Sequence, residues 1–173
     1  MAYSELPRSE PPLLDPFRDP ERFEGVLMRR VIAFMIDVVI LFVPVAVATI
    51  AVFLFGIVTL GLGWALFWLA GPATVIWALL YYGTTLGGPE TATWGMRMVD
   101  LQMRQGDGAP STFLLGAVHA VLFWVSVSVL SPLVLLVCFF NHRRRLLHDI
   151  LLGTVVINNG SRAARLRAAG LGY

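Results

Sequence analysis

A carboxylate about two turns into an apolar segment is the first feature of this chain that invites chemistry. Asp37 closes the stretch RRVIAFMID, and no Asp, Glu, Lys or Arg follows it from Val38 to Pro89. A charged side chain at mid-bilayer costs roughly 2.5–3.5 kcal/mol on insertion scales, so it belongs against other helices or water rather than lipid. Two roles are open to it: handling an ion or proton, or hydrogen bonding between helices. Its candidate partners are His119, Tyr81, Tyr82 and a bound monovalent cation or proton. His119 lies inside the third apolar region, Phe113 to Phe140, where an imidazole can relay a proton or act as a hydrogen-bonding partner.

Arg30 precedes Asp37 by seven residues. In a helix that spacing is near 700° of rotation, so the two share a face. The rise between them is about 10.5 Å, and side chains lean toward the helix N-terminus, so Arg30 points away from Asp37. Each is expected to meet a partner from another segment. For Arg30 that partner is Asp149, in RRRLLHD, through a two-pronged guanidinium–carboxylate bond. Arg145 competes for Asp149 at i−4 if that segment is helical. The pair reads either as an architectural clamp or as part of an anion-binding or gating device. Arg143, Arg144 and Arg145 read as a cytoplasmic membrane anchor. His142 and His148 flank them without a cysteine or carboxylate at metal-ligand spacing beyond the neighbouring Asp149, so neither a metal nor another cofactor is expected. Ser126, Ser128 and Ser131 lack a general base at useful spacing, and the chain is not expected to be an enzyme. The lone Cys138, in an apolar run, reads as packing rather than as a reactive thiol.

The elements that must position these groups are membrane helices. The chain has 173 residues, 57% hydrophobic and only 14% charged, with a mean hydropathy of +0.75. A soluble domain carries about a quarter charged residues. Residues 1–28 lack the apolar core of a signal peptide. A spanning helix needs roughly 20 apolar residues. One span is expected from Val26 to Ile57, kinked at Pro44, and a second from Trp64 to Tyr82 with Pro72 at its middle. Trp64, Trp68, Tyr81 and Tyr82 would form aromatic belts at its ends. Between them, VTLGLG is a tight turn, and Gly61, Gly63 and Gly71 are candidates for close helix packing, with no strict G-x-x-x-G at a helix centre. Met96 to Arg104 alternates with strand period, and Gly153 to Asn158 is β-prone; the two could pair as a small sheet on the membrane surface.

The third apolar region either crosses once or turns back near Ser131-Pro132. Arg29 and Arg30 put the N-terminus in the cytoplasm. A single third crossing would then export Arg143, Arg144, Arg145, Arg162, Arg165 and Arg167, against the positive-inside rule. The hairpin is preferred. The expected architecture is an all-α integral membrane protein: two full transmembrane helices, a third apolar region forming a helical hairpin or single span, and a small β-prone cytoplasmic cap. Residues 1–25 form a polar cytoplasmic tail, 26–157 the membrane domain and 158–173 a basic tail. The chain is placed in the cell membrane, multi-pass, with both termini cytoplasmic. The lipid bilayer is its first partner. So few helices rarely enclose a path alone, so a homo-oligomer or another membrane subunit is expected. The basic residues flank apolar segments, so no nucleic-acid role is expected.

Arg30, Asp37 and Asp149 together resemble the signature of the RDD family, membrane proteins named for one arginine and two aspartates. TWGMR, from Thr93 to Arg97, is similar to the family's T-x-G-[KM]-R element, and DGAPST, from Asp107 to Thr112, to its D-G-x-P turn. The resemblance covers about Val26 to Ile157. Members often carry arginines in the helix after that turn, where this chain offers His119. The resemblance implies a membrane protein with ion or small-solute transport as the expected role. The alternative is a non-catalytic scaffold or accessory subunit whose Arg and Asp residues only stabilise the bundle.

Overall fold

The computed structural model describes Leu14, residues 16–130 and residues 145–170. It is mostly helical, with one small antiparallel sheet. A short helix α1 (Pro20–Phe23) leads through Gly25, whose φ is +66°, into α2 (Val26–Val58). α2 is 33 residues long and continues through Pro44. None of its most apolar window is buried within the protein, the opposite of the core helix of a soluble domain. The chain reverses at Thr59–Gly61, with Leu60 and Gly61 both at positive φ. Gly63 then passes so close to α2 that a Cβ there would stand 2.9 Å from the Gly56 amide nitrogen.

The second apolar segment, Leu62–Leu86, is also long and apolar enough to cross a membrane, but it is not one uniform helix. A 3-10 helix occupies Leu62–Leu69 and α3 occupies Ala70–Leu86. Pro72 therefore sits in the first turn of α3 rather than at mid-span, where its missing N–H would have no intrahelical acceptor anyway. Trp64 and Trp68 are exposed, whereas Tyr81 and Tyr82 are buried and face the protein interior rather than a belt.

α4 (Trp94–Met98) and β1 (Leu101–Gln105) divide the stretch whose alternation predicts one strand. Thr93 overrides that pattern: its Oγ1 accepts the Met96 amide and starts a helical turn. β2 (Thr154–Asn158) pairs antiparallel with β1, with Met103 opposite Val156. Leu101, Met103 and Val156 pack against the helices. Val155 and Ile157, on the other face, pack on Phe23 and Leu14. Covered on both sides, β2 reads as an unbroken apolar run, while β1 alternates. Asn158 Nδ2 donates to the carbonyls of Glu21 and Glu24, and α7 (Gly160–Ala168) packs beside α1 with an Arg167–Glu21 ion pair. The segments read as polar and basic tails thus supply α1 and α7 to the cap.

α5 (Phe113–Leu130) packs chiefly on α3. The close approach runs through Gly83, Gly87 and Gly116 rather than the glycines singled out above. A Cβ on Gly116 would lie 2.8 Å from Leu86 Cβ and 2.9 Å from the Tyr82 carbonyl oxygen. Gly83 and Gly87 form a G-x-x-x-G at the end of α3, and Cβ atoms there would run into Phe113. The turn at Ser131-Pro132 and the anchor residues Arg143 and Arg144 lie outside the described residues. β1 precedes α5 and β2 follows it after α6 (Leu147–Leu151), so the sheet joins the two flanks of the third apolar region at one end of the bundle.

Candidate functional site

Asp37 is 4% exposed and fully engaged. Tyr81 Oη, from α3, donates to its Oδ1 at 2.5 Å. The Gly95 amide, at the start of α4, donates to the same oxygen at 2.8 Å, and Thr93 Oγ1 donates to Oδ2 at 2.6 Å. The local sequence explains the arrangement. Thr93 caps α4 and faces Asp37 at once, and a side chain on Gly95 would collide with the Ala33 carbonyl oxygen. Only a glycine lets the α4 backbone reach the carboxylate. Arg97 folds back on the same turn, donating to the Ala92 carbonyl at 3.0 Å and pairing with Glu90 at 3.0 Å, with its guanidinium over the Trp94 ring. The Thr-x-Gly-x-Arg spacing is therefore a docking loop for the acid of α2.

Arg30 Nη2 lies 2.6 Å from Asp149 Oδ2, which also accepts the Leu146 amide at 2.9 Å. Asp149 is wholly buried and Arg30 partly buried. Arg145 precedes the start of α6 at Leu147, so the i−4 competition requiring a helix there does not arise. Burial raises the Asp149 pKa, but Arg30 above all, then the neighbouring imidazoles and the Leu146 amide, hold it below the usual carboxylate range. Burial pushes the His148 imidazole down to about 3, only partly offset by Asp149. Near neutral pH, Asp149 is therefore ionised and His148 neutral. At the preceding position of α2, Arg29 donates to the Val99 carbonyl at 2.6 Å, tying the helix to the cap.

His119 is not a donor to Asp37. Its Nδ1 stands 3.7 Å from Asp149 Oδ1, as does His148 Nε2, and the two imidazoles meet edge to face with ring centres 4.6 Å apart. On α5 it faces the Arg30–Asp149 pair rather than the groups around Asp37. Asp37 and His119 nevertheless line one cavity of about 680 Å³, together with Arg30, Tyr82, Thr93 and His148. A second hollow of about 390 Å³, between α2 and the segment containing α3, has no charged residue on its wall. Sequence spacing put no metal-ligand set in this chain, yet the fold gathers His119, His148 and Asp149 within ligand distance of one another. It also did not single out Thr93 and Gly95 as partners of Asp37, although both lie in the TWGMR element.

Two apolar helices able to cross a membrane, closed at one end by a polar cap that receives an arginine and two aspartates, define a class of membrane-type helical proteins. The RDD family model matches residues 25–153, and the chain belongs to that family. Arg30, Asp37 and Asp149 all fall within the match. No curated protein and no solved structure matches the chain.

Proposed function

We propose that this RDD protein is an integral protein of the cell membrane that handles an ion or small solute in the cavity between α2, α5 and the cap, and that it is not an enzyme. One observation carries the reading. Ionisable groups from three helices, namely Arg30 and Asp37, His119, and His148, converge on one cavity of about 680 Å³ instead of dispersing to solvent. From Val38 to the end of α2 at Val58 the helix rises about 30 Å, the thickness of the hydrocarbon core. That length supports a position for Asp37 at the boundary rather than the middle of the bilayer, level with the cap. The arginines of α2, the cap and α7 support a cytoplasmic location for that side. The β1–β2 pairing supports an even number of crossings between Gln105 and Thr154, with both termini cytoplasmic. Two long helices and a third apolar segment do not enclose a path alone, so a second copy or another subunit completes it.

A second reading rests on a different observation. The Asp37 carboxylate accepts hydrogen bonds at both oxygens from two other segments, as in a structural staple. On that reading the chain is a membrane scaffold or accessory subunit. Liposome flux separates the two. The purified chain is expected to move protons or monovalent cations, and Asp37→Asn, which keeps the shape and removes the charge, is expected to stop it at unchanged expression. A silent Asp37→Asn combined with a misfolded Asp37→Leu selects the scaffold.

A further inference from the structure

We propose that His119, His148 and Asp149 form a three-ligand site for a divalent first-row transition metal, zinc above all, on the wall of the cavity. Each residue offers one ligand atom, and the three atoms lie within 4.8 Å of one another. Asp149 Oδ1 is 3.7 Å from both His119 Nδ1 and His148 Nε2. Zinc–nitrogen and zinc–oxygen bonds are about 2.0–2.2 Å, so donors around a tetrahedral ion stand roughly 3.3–3.6 Å apart. Two sides of the observed triangle stand just above that range.

Independent observations point to a ligand rather than to mere packing. Asp149 is 0% exposed, and its Oδ1 has no hydrogen-bond partner among the described residues, nor has His119 Nδ1. Buried polar atoms without partners are uncommon, and these two face each other at a distance too long for a hydrogen bond. The other carboxylate oxygen is already held by Arg30 and the Leu146 amide, which orient it as outer-shell partners orient a metal-binding carboxylate. Two histidines and one carboxylate leave a coordination position open for water from the cavity, a donor set that suits zinc or ferrous iron. Two ligands come from adjacent positions of α6 and the third from α5, so a bound ion would also tie α5 to the cap.

The site goes beyond the transport reading and stands whether or not the cavity conducts, because metal binding is read without any flux. The test uses the full chain in detergent, purified without a polyhistidine tag and stripped of metal, with Co²⁺ as the optical probe and Zn²⁺ as its competitor. We expect one Co²⁺ per chain with visible bands of low coordination number, displaced by Zn²⁺, and a higher melting temperature in Zn²⁺. His119→Gln and His148→Gln should each weaken binding by at least about tenfold, the scale at which even outer-shell partners are felt. His142→Gln should bind as the parent does. If His148→Gln does not fold, His119→Gln decides alone. A parent chain that takes up no Co²⁺ or Zn²⁺ beyond the His119→Gln/His148→Gln double variant overturns the site, leaving water as the partner of these atoms. Equal binding by His119→Gln and the parent, or loss in His142→Gln, overturns it too.

Discussion

At the residue scale, both signature acids are satisfied by groups far away in sequence, but in different ways. Asp37 receives neutral donors, a phenol, a hydroxyl and an amide, whereas Asp149 meets a guanidinium. Removing one partner of a buried ion pair leaves the other charge uncompensated, at a cost of about 3–5 kcal/mol, whereas removing both is far milder. Arg30→Ala and Asp149→Ala are thus each expected to lower the melting temperature and membrane abundance sharply, and the double variant little further. The double-mutant cycle is measured in metal-free buffer, so that ligand loss does not enter. Strictly additive losses would remove the pairing as a source of stability. The Arg30–Asp149 partnership was legible from residue types and the expected topology. Asp37 was legible as an acid needing partners, and Tyr81 was among the candidates. The Gly95 amide was not, because every residue type but proline offers an amide N–H and only the fold chooses which one is aimed.

At the element scale, the α3–α5 contact depends on the absence of side chains. Gly83, Gly87 and Gly116 let the helices approach until Cβ positions overlap neighbouring atoms. Between helices in lipid such close packing substitutes for a hydrophobic driving force that the bilayer does not supply. Gly116→Val is expected to force the pair apart and cost about 1–3 kcal/mol, read as a lower melting temperature in detergent. Gly71, also in α3, has nothing within 4 Å of a built Cβ, so Gly71→Ala is expected to be neutral or mildly stabilising. A Gly116→Val chain that melts with the parent contradicts the close approach. The strands teach a related lesson. Apolar runs and β-prone segments were readable, and the β1–β2 pairing was expected. The helical turn at Trp94–Met98 was not, because one capping threonine outweighed three residues of alternation.

At the scale of the whole molecule, the sheet constrains topology. β1 lies before the third apolar region and β2 after it, and they pair residue for residue from Leu101–Asn158 to Gln105–Thr154. Exposed positions on either flank should therefore report the same side of the membrane. Asp107 lies in the turn after β1 and Ser161 in α7, and both are exposed. In a chain carrying Cys138→Ser, Asp107→Cys and Ser161→Cys are each expected to resist an impermeant maleimide in intact cells and to react after permeabilisation. Labelling of position 161 alone from outside would separate the strands and overturn the even-crossing topology. The proposed even-crossing topology rests on charge bias and on sheet pairing, two unrelated physical effects.

Length and polarity of the apolar runs were enough to find the two candidate spans, because desolvating backbone and charge in lipid leaves few alternatives to a long apolar helix. Asp37 stood out for the same reason, since an ionisable group is costly there and demands a partner, whereas Arg30 and Asp149 stood out as an opposite-charge pair expected at the membrane boundary. What lay beyond reach was three-dimensional adjacency. His119 is separated from His148 and Asp149 by the remainder of the third apolar region, and no spacing rule links them. They meet because glycine-mediated packing sets the height of α5 on α3 while the sheet returns α6 to the same end of the bundle. Chemistry that depends on that meeting is a property of packing, and the linear chain carries no trace of it.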